Sequence, residues 1–584
     1  MLVDQPAPAA QEPPSTPASA APRDPTWTID LLLVALIVGT YFLLFLGARP
    51  LAVPSEARYA ELGREIFSTG DWVTPRINGV KYFFKPPLFY WMQAGFIHLF
   101  GLTEFALRLA TALMAAGGVV IAYATGRLVH DRRTGWLAAT IMATTLLWFA
   151  LSRVILLDVP VGVFMSFGFM AFLFAVKAPE GSASRSRWLY AMYVAAAAAT
   201  MTKGLIGIVL PALVIGLWIV LTWNWRLLLQ VKLIQGLILF LVLTVPWHVA
   251  VGIKSPEFWH FYFIREHWER FTSTVHGRTQ PWWFFAAVMV LGFFPWTVIV
   301  FQSLWGNLRA IAARTENWRD ELFLALWFWA IFLFFSASDS KLIPYVTPIV
   351  VPVAVFAGRY VAVALDTGAK SLRVALLTVA GLAAALAVAA IVVALGHARF
   401  FSGDTALDVA DAAPALPWLA LGGIATLAAL IWTQRRSLTA AFAVACVASA
   451  VFLHGVDATM ANLQPRSAKP IAQAINAVAA PTDEVIAFRA YPQDMPVYLG
   501  RRISVFQWSG ELDFGREWED TSAWMFGDPE ELWRRWQADR TVYMIVPLQF
   551  ESEVKEAVGA RFTELARTRR FMLIVNRPIA NQTP

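Results

Sequence analysis

The sequence predicts a polytopic α-helical membrane protein with a small α/β soluble domain at its C-terminus. Three observations carry that prediction. Of 584 residues, 58% are hydrophobic and only 15% are charged, far from the balance of a water-soluble chain. Apolar runs of about 17–25 residues recur along most of the length, each long enough to cross a bilayer. After residue 457 these runs stop, and short strand-like and helix-like patterns alternate instead.

Taken in order, residues 1–26 are Pro/Ala-rich with few bulky apolar side chains and are expected to be a disordered cytoplasmic N-terminus. The run Trp27–Leu46 is too long for a signal-peptide core and has no convincing cleavage site after it, so it reads as an uncleaved anchor. Residues 27–457 form the membrane region, with about thirteen spans. They fall near 28–48, 104–128, 134–151, 158–177, 188–203, 205–223, 231–252, 282–304, 320–337, 342–364, 372–396, 414–433 and 437–457. Within the large first outer loop, 49–103, the stretch Pro87–Leu102 is apolar but short and reads as an interfacial or re-entrant helix.

The tail 458–584 is read as a separate domain. Strands are expected at 484–490, 503–507, 542–547 and 571–575, and helices at 470–478 and 529–539. It carries no Gly-rich nucleotide fingerprint and no metal-ligand spacing. The single cysteine, Cys446, lies in an apolar run and reads as a small buried residue.

Net charge is +7, but the basic residues are spread over short loops, which excludes nucleic-acid binding as the reading. One alternating set of loops holds Arg127/Arg132/Arg133, Lys177/Arg185/Arg187, Arg226, Arg309/Arg314/Arg319, Arg359/Lys370/Arg373 and Arg435/Arg436. These short basic connectors fit the cytoplasmic side. The other set is longer, rich in aromatics and mixed in charge. That places the N-terminus in the cytoplasm and the chemically rich loops and tail outside, as an odd number of spans requires.

Chemistry concentrates on that outer side. The first loop holds Glu56, Arg58, Tyr59, Tyr82 and Lys85; Asp158 opens a span; Lys203 sits between two. A later loop holds Glu266, His267, Arg270 and His276, and Lys341 and Tyr345 precede another span. Cations beside carboxylates at a membrane surface suit a lipid-phosphate substrate, because Arg and Lys give charge-assisted hydrogen bonds to phosphate oxygens. Each residue also has a plainer reading. The loop charges form surface ion pairs, Lys203 and Lys341 snorkel from helix ends, and Asp158 caps a helix. Glu266, His267 and His276 are read as hydrogen-bonded loop residues, with a divalent cation as the alternative. No cofactor is called for.

The order of residues goes further. E-x-R-Y-A-E, T-G-D-W-V-x-P-R and N-G-V-K-Y-F-x-K-P-P-L-x-Y-W in the first loop, then T-K-G, E-H-x-x-R-F and S-K-L-x-x-Y, resemble the ArnT-type glycosyltransferases. These are membrane enzymes of the GT-C class, related to protein O-mannosyltransferases. The resemblance runs from about 28 to 365 and is weaker through the tail. It implies thirteen spans, a periplasmic site in a bacterial inner membrane, and a periplasmic tail domain. It implies transfer of 4-amino-4-deoxy-L-arabinose, or a related amino sugar, from undecaprenyl phosphate to lipid A phosphate; a monomer is expected. By the same resemblance Arg58 and Lys85 hold the carrier phosphate, Tyr59, Tyr82 and Tyr345 line the pocket, and Arg270 neutralises phosphate from the opposite loop. Lys203, His267 and Lys341 join them as substrate-binding candidates. Glu56 and Asp158 are the candidate catalytic carboxylates.

Two positions depart from the family pattern: Ser55 stands where Asp is usual, and Phe84 where Glu is often found. Phe84 leaves open a different sugar, and Ser55 removes a candidate base, which favours the phosphate acceptor over the alternative of a protein or glycan hydroxyl. A lipid or solute transporter is the alternative of another class. It would carry repeats and mid-membrane charges, whereas here charge gathers at span mouths on one side.

Overall fold

The computed structural model describes residues 24–269, 279–400, 409–411, 413–460, 467–559 and 562–578, without the side chains of 267–269, 397–400 and 460. Residues 1–23 of the expected disordered terminus lie outside this set. Among the described residues nine helices are long and apolar enough to span a membrane, and eleven if two bent pairs each count as one. The bent pairs are Arg132–Ala143 with Leu146–Ser152, at 63°, and Phe284–Gly292 with Thr297–Ala312, at 116°. The two remaining expected spans, 188–203 and 205–223, are also helices. Ala183–Lys203 starts in a basic, polar turn, and Ile206–Leu221 has only 16 residues. Every run expected from the sequence therefore lies on a helix, and two fall short of the length or apolarity of an unaided span.

The first loop is folded rather than extended. Helix Ser55–Thr69 follows the first span and packs against helix Leu88–Phe100. Gly63 permits that approach, since a Cβ there would lie 2.8 Å from the Cβ of Gln93. Between the helices a two-residue turn, Asn78-Gly79, joins strands β1 (Arg76–Ile77) and β2 (Val80–Lys81). Both turn residues have positive φ, 49° and 81°, the backbone that Asn-Gly hairpins adopt most readily.

The C-terminal unit is a six-stranded sheet. Its strands are β3 (Glu484–Phe488), β4 (Ser504–Phe506), β5 (Met525–Phe526), β6 (Val542–Pro547), β7 (Thr563–Arg567) and β8 (Phe571–Val575). The order is β5-β4-β3-β6-β8-β7. The first four run parallel, and β8 lies antiparallel to both β6 and β7. Central strands are almost wholly buried, as the Val/Ile/Met runs of β3, β6 and β8 require. The four expected strands are present. The sequence reading omits β5, which has two residues, and β7, where Glu564 and Arg567 obscure the alternation.

This unit sits directly on the first loop. Asn78 exchanges two hydrogen bonds with the backbone of Ile503, at 3.0 and 2.9 Å, and its own carbonyl accepts from Trp524 at 2.9 Å. Arg76 pairs with Glu519 at 2.9 Å, and the Tyr498 hydroxyl accepts from the Leu51 amide at 2.8 Å. Gly515 lies against the hairpin so closely that a Cβ would meet the Lys81 carbonyl at 2.4 Å.

Asp494 anchors the start of this unit, accepting from the Ser467 hydroxyl and the Ala468 amide, both at 2.8 Å. Burial pushes its carboxyl up from 3.8 to about 6. A carboxyl raised in the folded state binds its proton more tightly there than unfolded. Its contribution is complete below the unfolded value and is lost as pH rises through about 6. Asp494→Asn keeps the acceptor and removes the titration. It is expected to raise stability at pH 8 by ~2–3 kcal/mol relative to wild type and to flatten the profile between pH 4 and 7. Melting curves of both proteins in detergent across that range check this; parallel profiles would remove Asp494 as the cause.

Candidate active site

The described site residues converge from five elements. The beginning of helix Ser55–Thr69 supplies Arg58 and Tyr59, and the strand-to-helix connection after β2 supplies Tyr82 and Lys85. Asp158 is the first residue of helix Asp158–Lys177, and Lys203 is the last of helix Ala183–Lys203. Those are the helix ends at which an anion and a cation are each favoured by the backbone dipoles. Tyr345 lies in the tight turn Ile343–Ile349.

Three cation–carboxylate pairs organise the site. Lys203 bonds Asp158, and its ammonium stands 4.5 Å from the centre of the Tyr345 ring. Lys85 pairs with Glu266 at 3.2 Å. Arg58 pairs through Nε with Glu511 at 2.7 Å. The Tyr59 hydroxyl lies within the fields of Arg58, Asp158, Glu511 and Tyr345, and burial pushes it up to about 12. Burial raises Tyr82 well above its ordinary value too, and it feels Tyr59, Arg58, Glu511 and Glu266. The three pairs and the tyrosines therefore share one polar neighbourhood at the mouths of the spans. Asp158 does not cap its helix with its side chain; its carboxylate goes to Lys203. Its carbonyl accepts from Thr347 at 2.8 Å, which ties the turn carrying Tyr345 to this helix.

Other candidates are placed differently. Glu56 is fully buried and accepts from Arg108 at 2.8 and 2.9 Å, Arg49 at 3.2 Å, and the amides of Ala52 and Ile155 at 2.8 and 3.0 Å. Burial alone would raise its carboxyl, but Arg108 and Arg49 hold it below the usual carboxylate range. With both oxygens engaged by five donors, Glu56 is placed to brace the loop rather than to meet substrate. Lys341 is buried and donates to the Gln280 carbonyl at 3.0 Å, a contact that does not join it to the three pairs. Arg270, His276 and the His267 side chain lie outside the described residues. Of the candidate cation set only Glu266 is described, and it faces Lys85. Ser55 is exposed at the start of its helix. Phe84 lies between Tyr82 and Phe261, with ring centres 4.6 and 4.9 Å away, in an apolar cluster that continues through Phe261 to Phe514 at 3.7 Å.

Sequence reasoning does not single out Tyr90, Glu257 or Glu511. Tyr90 stacks near Tyr59, and its buried hydroxyl has no partner among the described residues. Glu257 holds Lys81 at 2.9 Å. Glu511 belongs to the C-terminal unit, 453 residues from Arg58. No local pattern marks it. The Tyr90 position, one turn of helix after Lys85-Pro86-Pro87, could have been found from its spacing.

Known proteins agree with this architecture. The family model for dolichyl-phosphate-mannose-protein mannosyltransferase matches residues 27–262, and that for the aminoarabinose transferase C-terminal domain matches 471–576. An undecaprenyl phosphate-alpha-4-amino-4-deoxy-L-arabinose arabinosyl transferase from Sodalis glossinidius is 28% identical, over 92% of this chain and 96% of its own. One of the same name from Shewanella sediminis is 29% identical over 59% of this chain and 62% of its own. The crystal structure of ArnT from Cupriavidus metallidurans bound to undecaprenyl phosphate superposes with a TM-score of 0.82 at 29% identity. It covers 96% of this chain and 99% of that one. The same protein in its apo state gives 0.79. Both the membrane region and the C-terminal sheet are thus matched in one continuous alignment, and the chain is an ArnT-like membrane glycosyltransferase of the GT-C class.

Proposed function

We propose that this protein moves 4-amino-4-deoxy-L-arabinose, or a related amino sugar, from undecaprenyl phosphate to a phosphate of lipid A. The observation that carries this reading is that the ion-paired cations Arg58, Lys85 and Lys203 share one polar neighbourhood with Tyr59, Tyr82 and Tyr345 at the span mouths. The leaving group is a lipid phosphate, and preplaced cations stabilise the charge it gains as the glycosidic bond breaks. The tyrosine rings supply faces for the sugar. By the family resemblance Arg270 is assigned to the same phosphate, and His267 to substrate binding.

The protein-mannosyltransferase likeness over 27–262 favours a hydroxyl acceptor as a second reading. A hydroxyl must lose its proton to a positioned base. Here Asp158 is committed to Lys203, Glu56 is buried among arginines, and position 55 is Ser. An acceptor phosphate is largely ionised near neutrality, with a second pKa of about 6, and needs no base. The carboxylate arrangement supports the phosphate acceptor.

The site belongs to the periplasmic side in this reading, with the N-terminus in the cytoplasm. Loop charge asymmetry supports it. So does the seating of the C-terminal unit on the first loop, because the two must then share one side of the membrane. The test is direct: purified protein, undecaprenyl-phosphate aminoarabinose and lipid A are combined, and lipid A is expected to gain the mass of one aminoarabinose residue. Glycosylated serine peptides with unmodified lipid A would overturn the acceptor.

A further inference from the structure

We infer that Glu511 is a positioning residue of the donor site, through which the C-terminal unit forms a working part of that site; this rests on the donor reading above. Arg58 is tied at one place. Its Nε meets both oxygens of Glu511, at 2.9 and 2.7 Å. Neither terminal nitrogen of Arg58 has a hydrogen-bond partner among the described residues. A guanidinium held by Nε presents its two terminal nitrogens as a fork, the geometry that suits a phosphate. Glu511 thus orients Arg58 without occupying the edge a phosphate would use.

Glu511 is itself held. Gln493 donates to it at 2.5 Å from the connection after β3. The loop that carries it is pinned on its other side by the Phe514–Phe261 stack at 3.7 Å and by the contact of Gly515 with the Lys81 carbonyl. Arg58 and Glu511 are each about one-fifth exposed, at 21% of the side chain, so the pair is partly accessible and not sealed in a core. Of the three pairs that organise the site, this one joins the membrane region to the C-terminal unit.

The experiment titrates undecaprenyl phosphate into full-length protein in detergent, reads affinity from thermal stabilisation, and measures the KM for donor alongside. Glu511→Ala is expected to weaken both by at least ~10-fold, with a smaller change in kcat. Glu511→Gln, whose amide oxygen still accepts from Nε, is expected to stay within ~3-fold of wild type. Arg58→Ala/Glu511→Ala is expected to bind no more weakly than Arg58→Ala, since the second change acts through the first. Wild-type affinity and KM in Glu511→Ala overturn the inference, as does additivity in the double variant. So does a Glu511→Gln as weak as the alanine variant, because charge rather than placement would then matter. If Glu511→Ala does not fold, Gln493→Ala replaces it: a loss of ~3-fold or more supports the inference and wild-type affinity overturns it. If wild type itself shows no stabilisation by undecaprenyl phosphate, the donor reading falls, and the inference with it.

Discussion

Lys85→Ala is expected to reduce sugar transfer by ~10- to 100-fold or more while the protein remains folded in detergent. Lys85 stands in the connection after the first-loop hairpin, just before Pro86-Pro87, and its partner Glu266 comes from the helical segment His260–Glu269, 181 residues later. A charge-assisted hydrogen bond to the leaving phosphate is worth ~1.5–3 kcal/mol, and that stabilisation grows as the phosphate gains charge. Removing the ammonium also takes this counter-charge from Glu266, whose side chain is 3% exposed, and makes the potential beside the donor more negative. Both effects act against turnover. Lys85→Arg should recover only part of the rate, because a planar fork does not reproduce a compact point charge at 3.2 Å from Glu266. Single-turnover assays with saturating donor, beside melting curves, separate the contributions. Near-wild-type turnover in Lys85→Ala would exclude Lys85 from the phosphate site.

The largest effect on stability is expected at Glu56 and Arg108. Both side chains are fully buried and meet at 2.8 Å. Arg108 also donates to the carbonyls of Leu46, Arg49 and Pro50, at 3.2, 2.8 and 2.8 Å. Next to them Arg153 bonds Asp457 at 2.7 Å and the carbonyls of Phe42 and Leu44, both at 2.7 Å. Arg49 lies 3.7 Å from Asp457 and bonds Glu56. This network fastens the end of the first span, the start of the first loop, helix Glu104–Val129 and the end of helix Leu438–Met460 to one another. Removing one member of a buried pair leaves an uncompensated charge and costs ~3–5 kcal/mol. Glu56→Gln is therefore expected to lower the melting temperature sharply and to reduce the folded yield. Glu56→Leu with Arg108→Leu should be less damaging than either single change, since no lone charge remains. If Glu56→Gln instead melts like wild type but does not turn over, the carboxylate serves catalysis, as its position in the motif suggests.

The difference between Glu56 and Lys85 shows how far the first loop can be read. Both belong to the same motif-bearing segment, and both carry charge where a membrane protein has few places for it. The motif identifies the segment. It does not separate a carboxylate locked among arginines from a cation paired at a partly exposed site, because that depends on Arg108, one span away, and Glu266, in a distant helical segment. Asp158 shows the opposite outcome. Its candidacy and that of Lys203 come independently from span-end positions, and the structure pairs them. Lys341 looked equivalent to Lys203 by the same argument, yet its ammonium goes to a backbone carbonyl. The breaks within the two bent spans were also hidden. Runs 134–151 and 282–304 have the apolar content of straight helices, and the 63° and 116° bends are properties of how the segments pack.

By itself, the sequence determined the membrane class, the place of each apolar helical run, the α/β tail and the loop that bears the chemistry. Each of these follows from local physics: the length of an apolar run, the period of its polar residues, or the order of charged and aromatic side chains within one loop. The tertiary structure alone decided the partnerships. It put Glu56 between two arginines, gave Arg58 a carboxylate from the far end of the chain, and set Asn78 against Ile503. An ion pair is defined by a few ångströms of space and carries no trace of its partner in the neighbouring residues. Folding the C-terminal sheet onto the first-loop hairpin brings those few ångströms about for Arg58 and Asn78, and packing within the membrane region does so for Glu56.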